Sequence, residues 1–221
     1  MAKPFLGLNA EDHVLGVRWS VLLALLLVAM GLETLSPAST FIELASLALL
    51  LLSVAGALFV SAPVSTFRTI CLGVSGIWFA AVIIGLTFAP FHGLVALLSA
   101  LMLFASLIAT FANLLKRESA DLDSLLGGVY GYFLLAMVWA VLYAQIERWS
   151  PGAFAMPEGQ DLSAGMIYFS FVTVTTLGYG DILPVAPAAQ FAAGLQAAVG
   201  VLYVAVFIGS IVGTYRSSRH D

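Results

Sequence analysis

From Thr69 to Leu115 the chain carries no Asp, Glu, Lys or Arg. A bilayer favours such a stretch, and a spanning helix needs about 20 consecutive apolar residues. The run is too long for one span. Ala89-Pro90-Phe91-His92-Gly93 breaks it, because Pro and Gly are the strongest local punctuators, so it folds back as two spans. Composition agrees, with 62% hydrophobic and 9% charged residues against roughly 45–50% and about 25% in soluble domains. The chain is expected to be an all-α integral membrane protein.

The remaining spans follow from the same reasoning. Met1 to Ala10 reads as a short cytoplasmic lead, and Asn9 with Asp12 suits the cap of a first helix running through Trp19 to about Leu35, with Arg18 snorkelling at its inner end. A basic residue, a short apolar core and small residues near Ala38 also follow the order of a cleaved leader. The long front segment and the acids Glu11, Asp12 and Glu33 argue for a retained span instead. A second run extends from Leu44 to Phe67 and a fifth from Leu125 to Ile146, after a polar linker at 116–124. A loop rich in Pro, Gly and Ala comes next, then the uncharged stretch Leu162 to Gly180, then a last helix from about Pro187 to Tyr215.

Charge decides whether Leu162–Gly180 crosses. If it re-enters, six spans place Lys3, Arg18, Arg68, Lys116, Arg117, Arg216 and Arg219 on one side and Arg148 on the other, as the positive-inside rule expects. If it crosses, Arg216 and Arg219 change sides and the bias weakens. The re-entrant reading puts both termini in the cytoplasm of a multi-pass plasma-membrane protein. Its parts are a four-helix domain (1–115), the linker (116–124), a domain built around the re-entrant stretch (125–215) and a short tail (216–221).

Within that stretch lies Thr175-Thr176-Leu177-Gly178-Tyr179-Gly180-Asp181. Successive carbonyls can point at one axis only in backbone conformations that Gly adopts without a Cβ penalty, and Gly178 and Gly180 stand where that freedom is needed. The bland reading is that these glycines let two helices approach closely. Three hydroxyls at Thr173, Thr175 and Thr176, an amphiphilic run before them, and Asp181 and Pro184 after them favour the first reading. The string T-L-G-Y-G resembles the T-V-G-Y-G filters of the potassium-channel pore family, whose carbonyl oxygens replace the hydration shell of K⁺. The resemblance extends from about Leu162 to Gly213.

Matched residue by residue, it implies ion-facing oxygens on Thr176, Leu177, Gly178 and Tyr179, with Gly180 and Asp181 at the outer mouth and Thr175 in support. Leu177 stands where Val or Ile is usual, which touches conductance and fine selectivity. Tyr168 and Phe169 stand where many relatives carry paired Trp, so the aromatic cuff around Tyr179 lacks an indole donor and is expected to hold the filter less rigidly. Gly200 falls where the family has its gating hinge. Gln196, the most polar residue of the last helix, either lines the cavity or bonds to a neighbouring helix.

Re-entrant backbone is tolerated at membrane depth only where protein buries it or it lines a water-filled cavity. One copy cannot enclose such a cavity, so a homotetramer is expected, its partners being K⁺ and membrane lipid. A short helix capped by Asp161 or Ser163 would point its negative end at the cation. Glu33, Glu43, Glu147, Glu158, Asp161 and Asp181 outnumber Arg148 on the outer surface, a balance that either concentrates cations or is ordinary solvated charge. The fourth span, Gly93 to Leu115, lacks the arginines of voltage sensors, which predicts voltage independence. Only Arg216–Asp221 follows the last helix, so no ligand-binding domain is expected there.

Other classes fit poorly. The few basic residues are not clustered, so nucleic acid is not a partner. Cys71 has no intrachain partner for a disulfide, and His13, His92 and His220 read as ordinary polar residues. No metal-ligand cluster, nucleophile triad or phosphate loop suggests an enzyme or a cofactor, and Glu43 is the nearest approach to an intramembrane carboxylate. A secondary transporter would show repeat halves or broken helix pairs. The expectation is passive K⁺-selective conduction, the alternatives being a poorly selective cation pore or a non-conducting membrane scaffold with a vestigial filter.

Overall fold

The computed structural model describes residues 19–35, 40–61, 65–87, 92–115 and 122–210. These form α1 (Trp19–Leu35), α2 (Thr40–Ser61), α3 (Ser65–Thr87), α4 (His92–Leu115), α5 (Leu122–Trp149), β1 (Phe154–Ala155), α6 (Leu162–Val174), β2 (Leu183–Pro184) and α7 (Pro187–Leu202), which runs on into a π-helical turn at Tyr203–Ile208. Among the described residues four helical stretches are long and apolar enough to cross a membrane: Leu44–Ser61, Leu97–Leu115, Leu122–Trp149 and Pro187–Ile208.

Several boundaries differ from expectation. The second run ends at Ser61, and Ser65 to Phe67 belong to α3. Between them lies Pro63, which lacks the amide hydrogen a continuous helix requires there. Helix α5 starts at Leu122, three residues before Leu125, so Asp123 and Ser124 are helical. The loop before α6 pairs with the segment after the glycine-rich loop, Phe154 facing Pro184 and Ala155 facing Leu183 in an antiparallel ladder. The lead Met1–Ala10, the Asn9/Asp12 cap, Ala38, residues 88–91, the linker at 116–121 and the tail 216–221 lie outside the described residues.

Helix α1 packs on α2 and α5, α4 packs on α2 and α5, and α3 lies against α2 and α4. Trp19, Leu22 and Leu26 of α1, Val54 and Ala57 of α2, Leu103 and Leu107 of α4, and Tyr130 and Leu134 of α5 make the shared core. The outward positions Val21, Val28, Ile77, Leu101 and Ile108 are apolar as well. A helix that is hydrophobic all round belongs in a lipid setting.

Several polar groups inside this bundle are paired across helices, although Trp19 Nε1 and Asn113 Oδ1 are buried with no partner among the described residues. The Trp19 amide donates to Asp123 Oδ1 at 2.9 Å, tying the start of α1 to the start of α5. The Ser53 hydroxyl donates to the Leu22 carbonyl at 2.9 Å, and Trp78 Nε1 donates to Ser99 Oγ at 2.9 Å. A second cluster, built on Tyr143, Met166, Phe169, Ile182 and Ala189, sits between α5, α6 and α7 and carries the loop.

Candidate functional site

Helix α6 begins at a side-chain cap. Asp161 accepts from the Ala164 amide at 2.9 Å, so Asp161 rather than Ser163 opens the helix. At 13 residues it is about 20 Å long, too short for a hydrocarbon core of about 30 Å. It ends at Thr175, whose hydroxyl donates to the Phe171 carbonyl at 2.7 Å.

Beyond Thr175 the chain doubles back on the helix end. The Thr176 amide donates to Thr173 O at 2.9 Å, and the Leu177 and Gly178 amides donate to Val172 O at 2.9 and 3.4 Å. The amides are thus consumed by the last turn of α6. Among the described residues no hydrogen bond ends on the carbonyl oxygens of Thr176, Leu177, Gly178 or Tyr179.

The dihedrals explain how those oxygens are presented. Thr176, Gly178 and Gly180 take φ of 58°, 59° and 81°. In a plain extended strand successive carbonyls point to opposite sides. Reversing the sign of φ at every second residue turns them to the same side. Gly178 and Gly180 adopt this without strain. Thr176 does not: a β-branched residue at positive φ is a costly conformation that persists only where its surroundings impose it.

The expected supports divide between two sides of the loop. The Tyr168 ring stacks on Tyr179, centroids 6.4 Å apart and planes 4° from parallel. Its hydroxyl donates to Asp181 Oδ2 at 2.7 Å. That bond holds the Asp181 carboxyl below its ordinary pKa, with lesser help from the Ile182 amide. The donor expected to be missing with the indole is therefore supplied by a phenol. Phe169 turns the other way, edge-on to Tyr143 at 5.0 Å and Phe154 at 5.3 Å.

Residues flanking the loop are stitched together. Val185 and Ala186 donate their amides to Ala153 O at 2.8 and 3.1 Å. Glu147 accepts from the Gly152 and Phe154 amides at 2.7 and 2.9 Å, so its carboxylate is engaged in building this turn. The side chains of Glu33 and Glu43 lie outside the described residues.

Behind the loop, α7 meets α6 at two points one helical turn apart. Gln196 is fully buried, and its Nε2 donates to Ser170 Oγ at 2.7 Å and Ser170 O at 3.1 Å. It bonds to neighbouring helices. Gly200 lies against the end of α6, where a Cβ would overlap the Val174 carbonyl oxygen and come within 2.8 Å of Val174 Cγ2. The same carbonyl accepts from the Tyr132 hydroxyl at 2.9 Å. Close approach thus requires glycine at 200. The π-helical turn begins three residues further on, and such turns commonly mark functional sites. Tyr132, Tyr143 and Ser170 were invisible as site residues in sequence. The one available signal was matched spacing, Ser170 and Val174 on α6 against Gln196 and Gly200 on α7.

Residues 131–217, which contain this whole arrangement, match the ion channel family. The chain is 33% identical over 73 residues to TWiK family of potassium channels protein 18 of Caenorhabditis elegans, covering 31% of this chain and 13% of that protein. It is 39% identical over 49 residues to potassium voltage-gated channel protein shk-1 of the same organism, covering 22% of this chain and 9% of that protein. The matched segments are thus a small part of those relatives' length. No solved structure matches the chain. Taken with the apolar helices, these matches make the chain a multi-pass membrane protein whose segment 131–217 is similar to ion channels and parts of which are similar to potassium channels.

Proposed function

We propose that the chain is one subunit of a homotetrameric channel that conducts K⁺ passively. Thr176 to Tyr179 from four copies line the axis, with Thr175, Tyr168, Phe169 and Asp181 holding them and Gly180 at the outer mouth. The observation that carries this reading is the alternation of φ from Thr176 to Gly180, with carbonyl oxygens that no donor among the described residues engages. Oxygens fixed in that way replace water around an alkali cation, and several sites in file let ions enter and leave.

Helices α1 to α5 and α7 provide the six crossings. The short α6 and its returning loop stay on one side, their irregular backbone lining the shared pore. The carbonyl end of α6 faces the ions and favours a positive charge. Both termini then lie in the cytoplasm, and the absence of charge in α4 makes the pore voltage-independent. The two-point contact of α7 on α6 makes Gly200 a packing position first, and a hinge there would act by breaking that contact.

A flux assay in proteoliposomes tests the reading. K⁺ uptake that exceeds Na⁺ uptake and is blocked by Ba²⁺ supports it. Equal K⁺ and Na⁺ uptake would favour a poorly selective cation pore, and no uptake with no fourfold assembly would favour a scaffold.

A further inference from the structure

A glutamine in the interior of an apolar helix has to find partners, since an unpaired amide buried in hydrocarbon is costly. Gln196 finds all of them within one chain. The Tyr143 hydroxyl of α5 donates to Gln196 Oε1 at 2.5 Å. Both Nε2 protons go to Ser170 of α6, one to its hydroxyl oxygen and one to its carbonyl. The Ser170 hydroxyl in turn donates to the Ala136 carbonyl of α5 at 2.6 Å. Tyr143, Ser170 and Gln196 are each fully buried. The result is a closed relay across three helices with no donor left over, an arrangement that rigidifies only when fully satisfied.

Its position gives it a second consequence. Ser170 lies one turn before Val174, whose carbonyl rests on Gly200 and accepts from Tyr132, and the loop starts at the following residue. Sliding α6 along α7 by a turn would break the amide bonds and the glycine contact together. Sequence spacing of four on both helices, 170/174 against 196/200, fixes one register.

We infer that Gln196 is a positioning residue for ion selectivity: through Ser170 it sets the height and rotation of α6, and with them the geometry of the Thr175–Gly180 loop. The inference rests on the reading of that loop as a filter.

The test compares Gln196→Met, which keeps length and volume but removes every hydrogen bond, with Tyr143→Phe and with Leu195→Met, a change at an exposed neighbour. Two quantities are read in nanodiscs and proteoliposomes: hydrogen exchange at the Leu177 and Gly178 amides, and the ratio of K⁺ to Na⁺ uptake. Gln196→Met is expected to speed exchange and lower the uptake ratio by about tenfold each, the scale expected when the three interhelical hydrogen bonds of Gln196, each of modest strength in a membrane, are lost together. Tyr143→Phe leaves α6 tied to α7 and should do much less, and Leu195→Met nothing. If Gln196→Met lowers the melting temperature yet leaves exchange and selectivity as in the wild type, Gln196 is structural only and the inference falls. Should Gln196→Met not fold, Ser170→Ala, which retains the bond to the Ser170 carbonyl, decides in its place: an intermediate rise in exchange supports the inference and no change overturns it. A wild-type protein without K⁺ preference would sink the filter reading, while the exchange measurement would still decide the tie.

Discussion

The Tyr168 hydroxyl donates to the Asp181 carboxylate at 2.7 Å while the Tyr168 ring lies parallel to that of Tyr179. One side chain of α6 thus touches the chain at two positions beyond the helix, Tyr179 and Asp181. Removing the hydroxyl alone, by Tyr168→Phe, keeps the stacked ring and leaves the Asp181 carboxylate only the bond from the Ile182 amide.

A pH dependence follows. Because the bond to Tyr168 lowers the Asp181 pKa from its ordinary 3.8, its contribution to stability is present above that value and lost as pH falls through the lowered one. Carboxyl NMR of Asp181 should show Tyr168→Phe titrating at higher pH than the wild type. Coincident titrations would mean the bond does not form in solution.

Gly200→Ala is expected to destabilise the protein by about 1–3 kcal/mol, the cost of overpacking a close contact, because the added methyl meets the Val174 carbonyl. Gly76→Ala in α3 meets nothing within 4 Å and should stabilise its helix by up to about 1 kcal/mol. Thermal unfolding in detergent measures both. Equal effects at the two positions would contradict the close packing of α7 on α6.

Asp123→Ala removes the acceptor for the Trp19 amide and should cost about 0.5–2 kcal/mol, the usual range for a lost helix cap. Asp123→Asn retains an oxygen there and should cost less. The difference in melting temperature between the two variants is the measurement.

Helix α4 holds no charged residue, and a single charge crossing the field is worth about 2.3 kcal/mol per 100 mV, or roughly a fiftyfold shift in an equilibrium. Conductance in a planar bilayer should change far less than that across 100 mV of depolarisation. A steep rise would require gating charge from another source.

Much of the site was legible in sequence where chemistry leaves few choices. Gly178 and Gly180 mark backbone that most residues avoid, and both take positive φ. Asp161 before an apolar run marks a helix start, and the helix starts there. Thr176 was not legible as a strained residue, since its φ of 58° is imposed by bonds from neighbouring amides to the α6 terminus. The β1–β2 pairing escaped because two-residue strands leave no periodicity. The Tyr143–Gln196–Ser170 relay depends on contacts 26 and 53 residues apart in the chain, which local pattern does not encode. The direction of Phe169 was within reach of the sequence, since adjacent helical residues point some 100° apart and the pair Tyr168–Phe169 cannot serve one side of the loop; its partners Tyr143 and Phe154 were not.

Rubidium uptake into proteoliposomes bearing the wild type or Gly178→Ala bears most directly on whether the loop conducts. Gly178 has φ of 59° and open space around its Cβ position, so the substitution acts on the backbone that carries the oxygens. Uptake well above empty vesicles in the wild type, abolished in Gly178→Ala at equal assembly, is the expected result. Uptake that survives the substitution unchanged, or wild-type uptake no greater than that of empty vesicles, would contradict the account.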